Sequence, residues 1–208
     1  MTDTDHGAPG MTDAAPPALT TSDAARAYGR DLLVGRHVRL RPLADADLPV
    51  LDRWWQDPQW QVLQQGSVLP RPAGPAGEQF RSWSGNAGPG SVGFCVETLA
   101  EGQLAGHIVV FGAGLPARAG TLAVILGPPF TGRGLGPDAV DVMLGYAFRE
   151  MGLNRVELRV WAFNTDAIRA YERCGFVVEG RRREAAFHDG RFHDEVLMGV
   201  LAREWEHR

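Results

Sequence analysis

The first patterned stretch of the chain runs from His37 to Pro42, where Val38 and Leu40 alternate with Arg39 and Arg41. That period of two predicts a half-buried strand. Asp45 to Gln56 follows with Leu48, Leu51, Trp54 and Trp55 at helical spacing. Residues 66–90 are rich in Gly and Pro and are interrupted by a short predicted helix, Glu78 to Ser84. Val92 to Thr98 and Leu104 to Phe111 then read as two strands joined by a Glu101-Gly102 turn, the signature of a hairpin. Thr121 to Leu126 predicts a buried strand that Gly127-Pro128-Pro129 stops. A glycine-rich loop, Gly132 to Gly136, leads into a helix with Pro137 near its start. Ala139, Val140, Met143, Leu144, Ala147 and Phe148 form its apolar face, and Gly152 ends it. Val156 to Trp161 is a further strand, Asp166 to Cys174 a short helix closed by Gly175. Phe176 to Glu179 and Val196 to Leu201 are the last strands, around an Asp189-Gly190 turn. Helices and strands mixed in this way predict one α+β domain over residues 34–208.

Residues 1–33 lack apolar periodicity and are rich in Ala, Pro, Thr and Asp, which predicts a flexible acidic tail. Composition adds one exclusion. All 21 basic residues are arginine, and the chain has no lysine. Schiff-base enzymes, Walker-type nucleotide loops and protein kinases each need a lysine in a defined role, so those chemistries are ruled out. The net charge of -4 argues against nucleic-acid partners, whose affinity rests on a basic field. The longest apolar run is far too short to span a bilayer. The polar N-terminus lacks the basic flank and apolar core of a signal peptide. Cys95 and Cys174 have no CxxC spacing, so reduced thiols are expected and a cytoplasmic protein with them.

Two places carry candidate chemistry. Thr131-Gly132-Arg133-Gly134-Leu135-Gly136 lies between an apolar strand and a helix N-terminus, where backbone N–H groups and the helix dipole favour a phosphate. Arg133 adds a charged donor. The plainer alternative is a loop that only turns the chain. Gly134 to Ala139 also fits the dinucleotide pattern G-x-G-x-x-A, but that fingerprint should leave its strand directly, and here Gly127 to Arg133 intervenes. The second place follows Trp161. Asn164 or Asp166 can cap a helix on which Tyr171 lies two turns beyond Asn164, on nearly the same face. Trp54, Trp55, Trp60 and Trp83 gather aromatic surface in the first half. His188, Asp189, His193 and Asp194 flank a tight turn, and strand alternation scatters them, so no metal is expected.

The order of strand, glycine loop, helix and strand, followed by Asn164-x-x-Ala167-x-x-x-Tyr171-x-x-x-Gly175-Phe176, resembles the GCN5-related N-acetyltransferases. Phe176 to Gly180, Asp189-Gly190 and Asp194 to Met198 are similar to the branch that acetylates ribosomal-protein N-termini. So are Val38 to Pro42 and Trp54 to Pro58. The resemblance implies a mostly antiparallel sheet, splayed at two parallel strands and flanked by helices. It implies acetyl-CoA as cofactor and a small-molecule amine or peptide N-terminus as acceptor, attacking the thioester directly. In that likeness Val124, Ile125 and Leu126 pair with the pantetheine, and Thr131, Gly132, Arg133, Gly134, Leu135 and Gly136 hold the pyrophosphate. Asn164 and Ala167 would contact the pantetheine arm, and Tyr171 would protonate the leaving thiolate. Glu97 and His107 are the candidate bases. Trp54, Trp55 and Asp57 would line the acceptor pocket, and a homodimer is implied. Thr131 stands where the family's loop usually begins with Gln or Arg. The different-class alternative is a catalytically silent acyl-CoA-binding regulatory or partner-binding module.

Overall fold

A computed structural model describes residues 19–69, 72 and 74–206. Seven strands form one sheet: β1 (Val38–Arg41), β2 (Val92–Thr98), β3 (Leu104–Gly114), β4 (Ala119–Leu126), β5 (Arg155–Trp161), β6 (Val177–His188) and β7 (Arg191–Leu201). Their order is β1-β2-β3-β4-β5-β7-β6. Every neighbouring pair is antiparallel except β4 and β5. The helices are α1 (Ser22–Asp31), α2 (Leu48–Gln56), α3 (Pro58–Gln64), α4 (Pro75–Trp83), α5 (Leu135–Arg149), α6 (Thr165–Arg173) and α7 (Ala202–Glu206). No helix among the described residues is long and apolar enough to cross a membrane.

Alternation along the strands builds a core on each face of the sheet. On one face Val38, Phe94, Ile108, Val110 and Leu122 pack with Ala139, Val140, Met143 and Leu144 of α5. On the other, Cys95 of β2 meets Leu51 of α2 and Phe80 of α4. Beside that second cluster Arg41 makes a two-pronged ion pair with Asp47 (2.7 and 2.9 Å) and also pairs with Glu97.

Several elements depart from the sequence pattern. The helix expected from Asp45 opens as a 3-10 turn, Asp45–Asp47, and becomes α-helical at Leu48, with Pro49 in the first turn. Helix α3 is an addition that the pattern does not predict. Its start is marked by Asp57, whose side chain accepts the Gln59 N–H at 2.9 Å, and by Pro58. Strand β6 is much longer than Phe176 to Glu179, and its Arg-rich stretch is mostly exposed at the edge of the sheet. The segment expected as a tail contributes α1, capped by Thr21 and tied to α5's end by the Tyr28 hydroxyl donating to Glu150 at 2.6 Å. Residues 1–18 lie outside the described residues.

The sheet divides at its parallel pair. Strand β3 follows β4 as far as Leu126, whereas β5 pairs with β4 only through Ala119–Thr121 against Arg155–Glu157. Beyond that, β5 stays with β7 out to Trp161 opposite Glu195. A slot therefore opens along Leu122 to Leu126.

Candidate active site

Which backbone groups face the slot follows from register. The Gly127 N–H donates to the Ala105 carbonyl at 2.8 Å, so odd-numbered residues of β4 bond to β3. Val124 and Leu126 therefore direct their N–H and C=O groups toward the slot, and Leu122 its carbonyl, its N–H being taken by Glu157 in the parallel pair. This corrects one expectation. Ile125 pairs with His107 on β3, and its side chain joins the cluster of Leu51 and Phe80, so it offers the slot no backbone group.

The slot ends at the glycine loop. Pro128–Phe130 makes one 3-10 turn, and α5 begins at Leu135 with Gly134 as its cap at φ 78°. Gly132 has φ 69°. A Cβ at either glycine would meet nothing within 4 Å, so torsion and not space requires glycine there. The N–H groups of Gly132 to Gly136 find no acceptor among the described residues, and they converge at the positive end of a fifteen-residue helix. Thr131 is exposed, and its hydroxyl donates to the Pro128 carbonyl at 3.2 Å, leaving only its lone pairs. Arg133 lies over the Phe130 ring, 5.8 Å from its centre. The α5 end is held from below by Asp138, whose carboxylate accepts the N–H groups of Arg36, His37 and Val38 at 3.0, 2.7 and 3.0 Å.

Across the slot, α6 starts where β5 ends. Asn164 caps it, its Oδ1 accepting the Ala167 N–H at 3.3 Å. The Cys174 thiol contacts the Pro137 carbonyl at 3.5 Å, tying α6 to the first turn of α5. Tyr171 is half-buried with its ring edge-on to Phe176 at 5.9 Å. Burial pushes the phenol up to about 12, so it holds its proton through the neutral range. Its hydroxyl has no hydrogen-bond partner among the described residues.

The slot of unpaired strand backbone thus runs into a glycine loop at a helix N-terminus, and the chain is similar to known proteins. The acetyltransferase (GNAT) domain family matches residues 37–177. The chain belongs to that family. Over 108 residues it is 32% identical to the putative ribosomal N-acetyltransferase YdaF of Bacillus subtilis (strain 168), covering 52% of this chain and 59% of that protein. The spermidine N(1)-acetyltransferase of Vibrio cholerae is 30% identical over 115 residues, covering 55% and 66%. The chain thus spans less than two thirds of either relative in those alignments. The crystal structure of spermidine N-acetyltransferase from Vibrio cholerae in complex with CoA and spermine shares the fold, with TM-score 0.72 and 24% identity over 81% of this chain and 97% of that one.

Within this GNAT domain the remaining candidates separate. Trp54 reaches the slot's end: a Cβ on Gly127 would lie 2.3 Å from its ring, and it packs edge-on to Phe130 at 6.0 Å. Trp55 turns instead into the aromatic cluster with Phe80 (5.8 Å) and Trp83 (5.4 Å). Asp57 is the cap of α3 and so is partly committed. Glu97 does not fit the part of a base, because Arg39 and Arg41 both pair with it and hold its carboxyl below the usual carboxylate range despite burial. His107 sits under Phe80 and Trp83, with Nε2 2.7 Å from the Ser84 hydroxyl, and burial pushes it down to about 4. It is a neutral imidazole at physiological pH and can accept a proton only transiently. His188 and His193 both pack on Phe163, while Asp194 accepts the Glu184 N–H at 3.1 Å. Two useful groups escape sequence reasoning, the open-side carbonyl of Leu122 and the Asp138 anchor. Period-two counting from the strand's end finds the first.

Proposed function

We propose that this GNAT domain transfers an acetyl group from acetyl-CoA to a primary amine by direct attack. The observation that carries the reading is the slot: the Leu122 carbonyl and the unpaired backbone of Val124 and Leu126 run into the five unsatisfied N–H groups of Gly132 to Gly136. A pantetheine amide arm has the donors and acceptors to complete such a strand edge, and a pyrophosphate suits the loop. Bound acetyl-CoA supplies the activated thioester. The Val124 N–H is then the donor for the thioester carbonyl oxygen, a role typically worth about 2.7–4 kcal/mol. Asn164 orients the arm through the amide nitrogen its capping bond leaves free. As the C–S bond breaks Tyr171 gives its phenolic proton to the departing sulfur, and the proton released by the attacking amine restores the phenol; Trp54 walls the end of the slot against water.

The acceptor is a small-molecule amine or a peptide N-terminus, classes supported by what the relatives are named for. Residues 34–208 act as the catalytic domain, and its compartment is the cytoplasm, which suits two buried free thiols. The protein works as a homodimer; a related Vibrio cholerae enzyme is described as dodecameric. Free-thiol release from acetyl-CoA across a panel of polyamines, amino acids and peptides tests the activity. Stabilisation by CoA without thiol release on any amine would instead support the silent acyl-CoA binder, which the occupied hydroxyl of Thr131 favours. Light scattering on the purified chain tests the dimer.

A further inference from the structure

Beyond their last paired residues, Thr121 and Glu157, β4 and β5 run on as the two walls of the slot. Counting two residues further along each strand brings Arg159 level with Ala123, the residue before Val124. Val156, Leu158 and Val160 point into the core shared with α5, so Arg159 and Trp161 project from the opposite face of β5. The glycine loop and α5 hold the donor on the first face, which leaves this second face for the approach of the amine. Ala123 is small and exposed there, so the mouth of the slot is open in front of Arg159, itself exposed.

The charges around Arg159 are unevenly committed. Arg155 holds both Glu157, at 3.3 Å, and Glu179. Glu195, only 7% exposed and opposite Trp161, accepts from Arg182 at 2.6 Å. Those carboxylates are spent on arginine, whereas Arg159 has no carboxylate partner among the described residues. A second ammonium on the acceptor therefore meets neutralised carboxylates and a free guanidinium. A carboxylate on the acceptor meets a planar fork of donors that matches it. We propose that Arg159 selects the acceptor, which is an amine with a carboxylate a few bonds from the nitrogen and not a polyamine. This rests on the transfer reading above and narrows its acceptor class, which the backbone of the slot leaves open.

Rates of thiol release from acetyl-CoA by the full chain test it. The acceptors are alanine against alaninamide, a peptide amide beginning Ala-Asp against one beginning Ala-Asn, and spermidine, compared at equal concentrations of unprotonated amine. In at least one pair the acidic member should have the higher kcat/KM by roughly tenfold or more, because one charge-assisted contact separates the two. The pair that shows it distinguishes a free amino acid from an acidic peptide start. Arg159→Ala should erase the difference by slowing the acidic acceptor while leaving the neutral one within about twofold, on the scale of exposed-charge changes. Arg159→Glu should move the preference to spermidine. Equal rates within both pairs, or spermidine as the fastest acceptor of the parent chain, overturn the inference and leave the transfer reading standing. So does an acid preference that survives in Arg159→Ala. No thiol release with any acceptor overturns the transfer reading as well. A melting temperature matching the parent's confirms that Arg159→Ala is folded.

Discussion

Replacing Tyr171 with Phe removes one oxygen and separates catalysis from folding. The ring's contact with Phe176 is kept, and the lost hydroxyl bonds to nothing among the described residues. Stability should therefore change by less than about 0.5 kcal/mol. The catalytic loss can be bounded. Raising the phenol from near 10 to about 12 makes proton donation costlier by about 2.7 kcal/mol, at about 1.36 kcal/mol for each factor of ten. That penalty is offset only as far as the departing thiolate shares the same dry surroundings. General acids contribute roughly 10²–10⁴-fold, and a reluctant one belongs at the lower end. We expect kcat to fall about 100-fold with KM for acetyl-CoA little changed. Initial rates of thiol release, with a thermal melt on the same samples, measure both. An unchanged kcat would refute the acid role, and a fall matched by a lowered Tm would show that Tyr171 is structural.

Arg41→Ala should cost about 3 kcal/mol, because it strands the buried Asp47 carboxylate while Arg39 still covers Glu97; a denaturation midpoint close to the parent's would contradict this. His107 titrates near 4 when folded and near 6.5 when unfolded, so the unfolded chain takes up the extra proton as pH falls. Its contribution is complete above pH 6.5 and about 3 kcal/mol is lost by pH 4. Denaturant titrations at pH 7 and 4.5 should show a shallower loss for His107→Gln. Gly134→Ala puts a side chain at φ 78°, costing roughly 1–2 kcal/mol, and should weaken CoA binding in calorimetry more than it lowers Tm. Gly127→Ala keeps an ordinary φ of -66° but drives a methyl into Trp54, so about 1–3 kcal/mol should be lost in melts, and Trp54→Phe in the same chain should restore part of it.

The donor side of the site is legible in the sequence because its chemistry is local. A run of apolar residues, glycines spaced for left-handed torsions, and Asn164 seven residues ahead of Tyr171 all lie within one stretch of chain. What the sequence hides depends on which strands become neighbours. Glu97 looks like a free carboxylate, and only the β1–β2 register sets Arg39 directly opposite it, with Arg41 two residues along. Ile125 looks equivalent to Val124, yet pairing with β3 turns its backbone the other way. Trp55 looks like a pocket wall, but its partners Phe80 and Trp83 come from a helix flanked by Gly and Pro where periodicity is weak. The pattern understates strand β6 because an exposed edge tolerates charge on successive residues.

The split in the sheet also divides the chain. Strands β1 to β4 with α2 to α5 form one contiguous half, and β5 to β7 with α6 the other. Among the described residues, three residues of each central strand provide the only strand pairing between them. The catalytic slot is therefore a seam between two pieces, each with its own antiparallel ladder. A cut near Gly152, between α5 and β5, would sever no strand pair. Two fragments coexpressed around that cut would have to dock before any donor could be gripped, which makes acetyl transfer a direct report of their reassembly.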